Sequence, residues 1–166
     1  MAFEEVKIKY MGFRLRETPR NEVNNLPRSN ADSLDWRAKG AVNPILDEGS
    51  CGSTYAFSAI DSTEAQWFIK TGKLVSLSVQ AIVDCSGKYG NMGCNGGFMD
   101  YCFAYMKDNG IPIASDYPYK AGTEPCKQFT PAFKLTEYID VAKGDTDALK
   151  AAADITVVSV AVDATR

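Results

Sequence analysis

Between Thr54 and Lys70 the apolar residues Ala56, Phe57, Ile60, Trp67 and Phe68 fall at helical spacings. They form one stripe of an amphipathic helix, and Gly72 supplies its C-terminal stop. Ser78 stands as an N-cap before a second, shorter helix carrying Val79, Ile82 and Val83. A third stripe, Met99, Cys102, Phe103 and Met106, begins after the forced turn Gly93-Cys94-Asn95-Gly96-Gly97 and ends at Gly110 and Pro112. Asp145 caps a fourth helix of Ala148, Leu149, Ala151 and Ala152. Strand signals are weaker. Ser33 to Pro44 reads as a strand-turn-strand with a buried Trp36, and Leu135 to Val141 alternates weakly as a strand. The run Ile155 to Val162 is rich in β-branched side chains and predicts a buried strand, which left bare is an aggregation template. Few other strands are predicted to pair with it. The chain therefore reads as cut short, or as completed by another polypeptide covering residues 155–162.

The first 29 residues are polar and charged around a small patch of Ile8, Tyr10, Met11, Phe13 and Leu15, with Pro19 and Pro27 behind it. Two readings stay open: a short helix or turn leading into an extended segment, or a loose tail. The first residues carry Glu4 and Glu5 where a secretory signal needs basic and then apolar residues, so no signal peptide is expected.

Composition narrows the classes. The 166 residues suffice for one domain with a core, or one and a fragment, and the 45% hydrophobic fraction is ordinary for a globular chain. A net charge of −3, with both signs mixed, points to no nucleic-acid surface and no anionic-membrane patch. No stretch approaches the ~18 apolar residues of a transmembrane helix. The five cysteines, at 51, 85, 94, 102 and 126, include no close pair, and there is no histidine, so a structural metal is not expected.

The candidate chemistry lies in Glu48-Gly49-Ser50-Cys51-Gly52-Ser53-Thr54. This tight Gly/Ser loop runs directly into the first helix, whose free N–H groups and positive dipole end face whatever sits in front of them. A thiol at that place would be an activated nucleophile. Thr54 stands there instead, and a threonine hydroxyl needs a base; inside a chain it reads as a helix N-cap.

The ordered blocks Asp35-Trp36-Arg37, Cys51-Gly52-Ser53, Ala56-Phe57-Ser58-Ala59, Val83-Asp84-Cys85, Gly93-Cys94-Asn95-Gly96-Gly97, Asp116-Tyr117-Pro118-Tyr119 and Val160-Ala161-Val162-Asp163-Ala164 resemble the papain family of cysteine peptidases, in its cathepsin L-like branch. Residues 1–29 resemble the end of that family's inhibitory propeptide. The resemblance implies an α+β, papain-like fold: propeptide-like residues 1–29, a helical left domain at 30–140, and the start of the right β domain at 141–166. The family's histidine and asparagine follow the nucleophile by roughly 130–150 residues, beyond residue 166.

On this resemblance Thr54 occupies the position of the catalytic cysteine. Glu48 occupies that of the glutamine whose amide donates to the oxyanion, where an ionised carboxylate has no donor. Tyr55 replaces a tryptophan. Gly52, Gly96 and Gly97 match positions that let substrate backbone pair with the main chain. Phe98 and Met99 match the apolar floor of the main specificity pocket, with core packing as the alternative for Met99. The resemblance also implies disulfides Cys51–Cys94 and Cys85–Cys126, each worth roughly 4 kcal/mol on a chain-entropy estimate. The odd Cys102, on the helix stripe with Met99, Phe103 and Met106, reads as a small buried core residue, with a reactive free thiol as the alternative. It implies no cofactor, and a lysosomal or extracellular setting; with no signal visible, an intracellular assembly stays open. Three functions follow as expectations: an inactive homologue serving as a binding or structural component, a peptidase half completed elsewhere, or a propeptide-like regulator of active relatives. The cleft would hold a peptide or the chain's own residues 1–29.

Overall fold

The computed structural model describes residues 22–23 and 32–162. In chain order these form β1 (Glu22–Val23), α1 (Thr54–Thr71), α2 (Val79–Cys85) with a 3₁₀ turn at Ser86–Tyr89, α3 (Met99–Asn109), β2 (Asp140–Val141) and α4 (Thr146–Ile155). The patch from Ile8 to Leu15 lies outside the described residues.

The helices start and stop where their punctuation dictates. Gly72 takes the left-handed conformation (φ 71°) and its N–H caps Phe68 O, ending α1. Ser78 accepts from the Ala81 N–H and opens α2, and Asp145 accepts from the Ala148 N–H and opens α4. Gly110 closes α3.

The core sits where α1 packs against α2 and α3, with Tyr55, Ala56, Ala59, Ile60, Ile82, Cys102, Met106 and Ile111 essentially inaccessible. Because α1 is covered on two sides, its buried face is broader than the sequence stripe and includes Ala59, Thr63, Glu64 and Ala65. Phe57, Trp67 and Phe68 are only half-buried at its edge. Cys102 is fully buried and free, on the core-facing stripe of α3. Both implied disulfides form, Cys51–Cys94 with Cα atoms 4.5 Å apart and Cys85–Cys126 at 4.8 Å.

Three strand expectations are corrected. Residues 33–44 hold a turn rather than two strands. The Asp35 carboxylate accepts from the Arg37 backbone and guanidinium, and Ala41 N–H closes onto Trp36 O at 3.0 Å, so these groups bond locally instead of along a ladder. Trp36 is half-buried, its Nε1–H donating to Ala153 O at 2.8 Å.

The predicted strand from Leu135 shrinks to Asp140–Val141, which pairs in parallel with Glu22–Val23. Upstream of it, Tyr138 lies against Phe103 of α3, with ring centroids 5.7 Å apart.

The run Ile155–Val162 forms no ladder among the described residues. Ile155 finishes α4, residues 156–159 are half-buried, and Val160 and Val162 are 54% and 74% exposed. The segment is pinned to α1 by a side chain instead. Ser159 Oγ donates to Ser58 O at 2.8 Å and lies 3.0 Å from Ser62 Oγ.

Candidate active-site cleft

The loop before α1 is held from both sides. Cys51 is tied to Cys94, and the Gly52 N–H donates to Cys94 O at 3.0 Å. That clamp sets the Gly93–Gly97 turn beside the head of α1. Within the turn the Met92 N–H donates to Gly96 O and the Asn95 N–H to Met92 O.

Thr54 is exposed at the first position of α1, and the N-cap is Ser53, one residue earlier than the sequence reading places it. Ser53 makes no side-chain capping bond. The acceptor comes from Glu48, whose Oε2 takes the Ser53 N–H at 2.8 Å, a donor it shares with Cys51 O at 2.7 Å; the nearby Thr54 N–H also favours the ionised carboxylate. Burial raises the Glu48 pKa above its ordinary value, the two N–H donors work against that rise, and nearby Asp47 adds to it. Tyr119 completes the arrangement. Its hydroxyl donates to Glu48 O at 2.8 Å and lies 2.6 Å from Ser53 Oγ, while its ring meets Phe57 edge-on at 5.0 Å.

In front of Thr54 is an open depression of about 430 Å³ lined by Ile45, Leu46, Asp47, Glu48, Thr54 and Phe57. Ile45 is 98% exposed and Leu46 64%. The structure thus brings Glu48 and Thr54 to one surface. Gly52, Gly96, Gly97, Phe98 and Met99 are not among its lining residues. Tyr55 does not face the cleft at all: it is 1% exposed, and its hydroxyl donates to Gly93 O at 2.9 Å beneath the turn. Burial holds its phenol neutral.

Gly97 has no room for a side chain, since a Cβ there would overlap Asn91 Oδ1 and come within 2.7 Å of the Tyr55 ring. Asn91 is buried, and its Oδ1 accepts from the Phe98 N–H, fixing where α3 begins. Phe98 lies edge-on to Tyr101, and Met99 is half-buried at the first turn of α3, packed against the core cluster.

Sequence reasoning missed Tyr119 and Asn91. The sequence marks Tyr117–Tyr119 as loop, and the one usable signal was two tyrosines flanking a proline, side chains too large to leave in solvent. Among the described residues no group of three or more Cys, Asp or Glu could hold a metal ion.

This fold is shared with a solved structure, digestive procathepsin L 3 of the Tenebrio molitor larval midgut, at a TM-score of 0.76 and 36% identity over 92% of this chain and 49% of that one. The model of the papain family cysteine proteases matches residues 30–166. The chain belongs to the papain family of cysteine proteases.

Within the family it is 54% identical over 136 residues to a cathepsin L-like peptidase of Aedes aegypti, covering 80% of this chain and 40% of that protein. Procathepsin L of Mus musculus is 47% identical over the same shares. Cathepsin S of Rattus norvegicus is 47% identical over 173 residues, 98% of this chain and 52% of that one. This papain-family chain therefore spans about half or less of the length of these relatives.

Proposed function

We propose that this chain is a catalytically inactive, cathepsin L-like member of the papain family that serves as a binding or structural component of a larger assembly. The observation that carries the reading is the residue at the head of α1. Where the family resemblance puts a cysteine, Thr54 presents a hydroxyl, and the side chain beside it is an acceptor, Glu48. A hydroxyl of ordinary pKa attacks only when a base removes its proton, and an acyl transfer needs donors at the developing oxyanion. A carboxylate supplies the opposite charge there.

The scaffold under this position is nonetheless kept: both disulfides, the glycine turn and the helix core are intact. That combination suits recognition better than chemistry. The partner is a second polypeptide lying along residues 155–162, where Ile155, Val160 and Val162 are exposed beside half-buried neighbours. Light scattering on purified protein tests this part. A stable, folded monomer at high dilution rules out the partner requirement.

A thiol-trapping epoxide tests the inactive reading. The fully buried Cys102 is out of reach and the other four cysteines are in disulfides, so the intact mass stays unchanged on exposure. One epoxide adduct on the folded chain counts against the proposal. The second reading, a peptidase half completed by another chain, draws on the same exposed segment. It predicts turnover once the missing partner is added.

A further inference from the structure

We infer that the Glu48 carboxylate is a built-in stopper at the head of α1, placing its charge at the positive helix end that a reacting oxyanion or thiolate at position 54 would need. Three observations converge. Glu48 Oε2 accepts from the Ser53 N–H at 2.8 Å, and the nearby Thr54 N–H favours its ionised form. Ser53, the N-cap residue, offers no side-chain acceptor to the helix, and Glu48 is the charged acceptor at its N–H, which also reaches Cys51 O at 2.7 Å. Tyr119 locks the arrangement by donating to Glu48 O at 2.8 Å while its oxygen lies 2.6 Å from Ser53 Oγ.

The electrostatic consequence follows directly. The head of an 18-residue helix carries about half a positive charge on its free N–H groups. A thiol placed there is normally acidified by that field. Here a carboxylate already neutralises it, and Asp47 stands beside Glu48 with the same sign. Among the described residues, the titratable groups acting on Glu48 are Asp47 of its own loop and the Tyr119 hydroxyl of the loop packed over it, neither of them cationic. Loss of function at this site is therefore double: restoring a cysteine at 54 does not by itself restore a reactive one. The proposal deepens the inactive reading and rests on it in taking position 54 as the nucleophile position. Its test reads a thiol rather than turnover, so the two can fail separately.

The test compares Thr54→Cys with Thr54→Cys/Glu48→Gln by the pH dependence of alkylation with iodoacetamide. The unmodified chain gives the baseline, because its Cys102 is fully buried. With Glu48 present, the new thiol titrates at or above the ordinary value of about 8.5; with Gln it titrates at least about one unit lower. Midpoints agreeing within about 0.3 unit overturn the proposal. Should near-UV circular dichroism show that the double variant does not fold, the Ser53 amide resonance of the unmodified chain decides. It shifts as the Glu48 carboxylate takes up its proton on acidification, and Glu48→Gln abolishes the shift. A Ser53 amide indifferent to pH contradicts the stopper.

Discussion

Glu64 illustrates how a single side chain can tie stability to pH. It lies on the buried face of α1 at 4% exposure, its Oε1 accepting from the Leu77 N–H at 2.6 Å and its Oε2 from Asn43 Nδ2 at 2.7 Å. Burial outweighs both donors and pushes its pKa up to about 7. A carboxyl whose folded pKa exceeds its unfolded one binds its proton more tightly in the native state. The stability it contributes is then complete below about pH 4.5 and is lost as pH rises through about 7. Urea unfolding of the parent should weaken over that window by roughly 3 kcal/mol at most, and Glu64→Gln should flatten the slope. An unchanged slope in the variant assigns the pH dependence elsewhere. Gly97 gives a second residue-scale expectation. Gly97→Ala forces a methyl into Asn91 and Tyr55 and should cost about 1–3 kcal/mol, whereas Gly122→Ala, whose new methyl would meet Lys120 O at 3.9 Å, should stay within about 0.5 kcal/mol. Equal costs in urea would deny the close packing at Gly97. Neither Glu64 nor Asn91 was legible in the sequence. An acid within an amphipathic helix and an asparagine before a glycine turn look like surface residues until their partners from distant segments are in place.

At the scale of elements, the helices were legible and the strands were not. A helix satisfies its own backbone, so stripe, cap and stop suffice, as Ser78, Gly72, Gly110 and Asp145 demonstrate. A strand depends on a neighbour the local sequence does not contain. Trp36, Tyr138 and Ser159 each found a partner in a helix, through Ala153 O, Phe103 and Ser58 O, and their segments follow those contacts. The cap of α2 is worth testing because it does two things. Ser78 Oγ accepts from the Ala81 N–H at 3.0 Å and donates to Tyr117 O at 2.6 Å, joining the helix to the loop that carries Tyr119. Ser78→Ala should therefore cost about 2 kcal/mol in urea unfolding, the upper end of the capping range. A loss below about 0.5 kcal/mol would mean that water replaces both bonds.

For the molecule as a whole, the two disulfides divide the work between cleft and periphery. Cys51–Cys94 clamps the loop before α1 to the glycine turn, with 43 residues of separation, and Cys85–Cys126 anchors the loop beyond Tyr117, with 41. Replacing Cys85 and Cys126 by serine should raise amide exchange in residues 120–129 and leave the head of α1 protected. Uniform exchange throughout would show that the scaffold is not divided in this way. The ancestry of the candidate site was readable from ordered motifs, and its positions Glu48 and Thr54 do share one surface. The Glu48 cap and the burial of Tyr55 were not readable, because both depend on how the loop folds back onto the helix. The central claim is that this surface recognises without cutting. Its most direct test is hydrolysis of a fluorogenic peptide by the natively sourced protein together with whatever co-purifies, with and without a thiol-trapping epoxide. The account predicts no epoxide-sensitive turnover attributable to this polypeptide; epoxide-sensitive cleavage that travels with it would contradict the account.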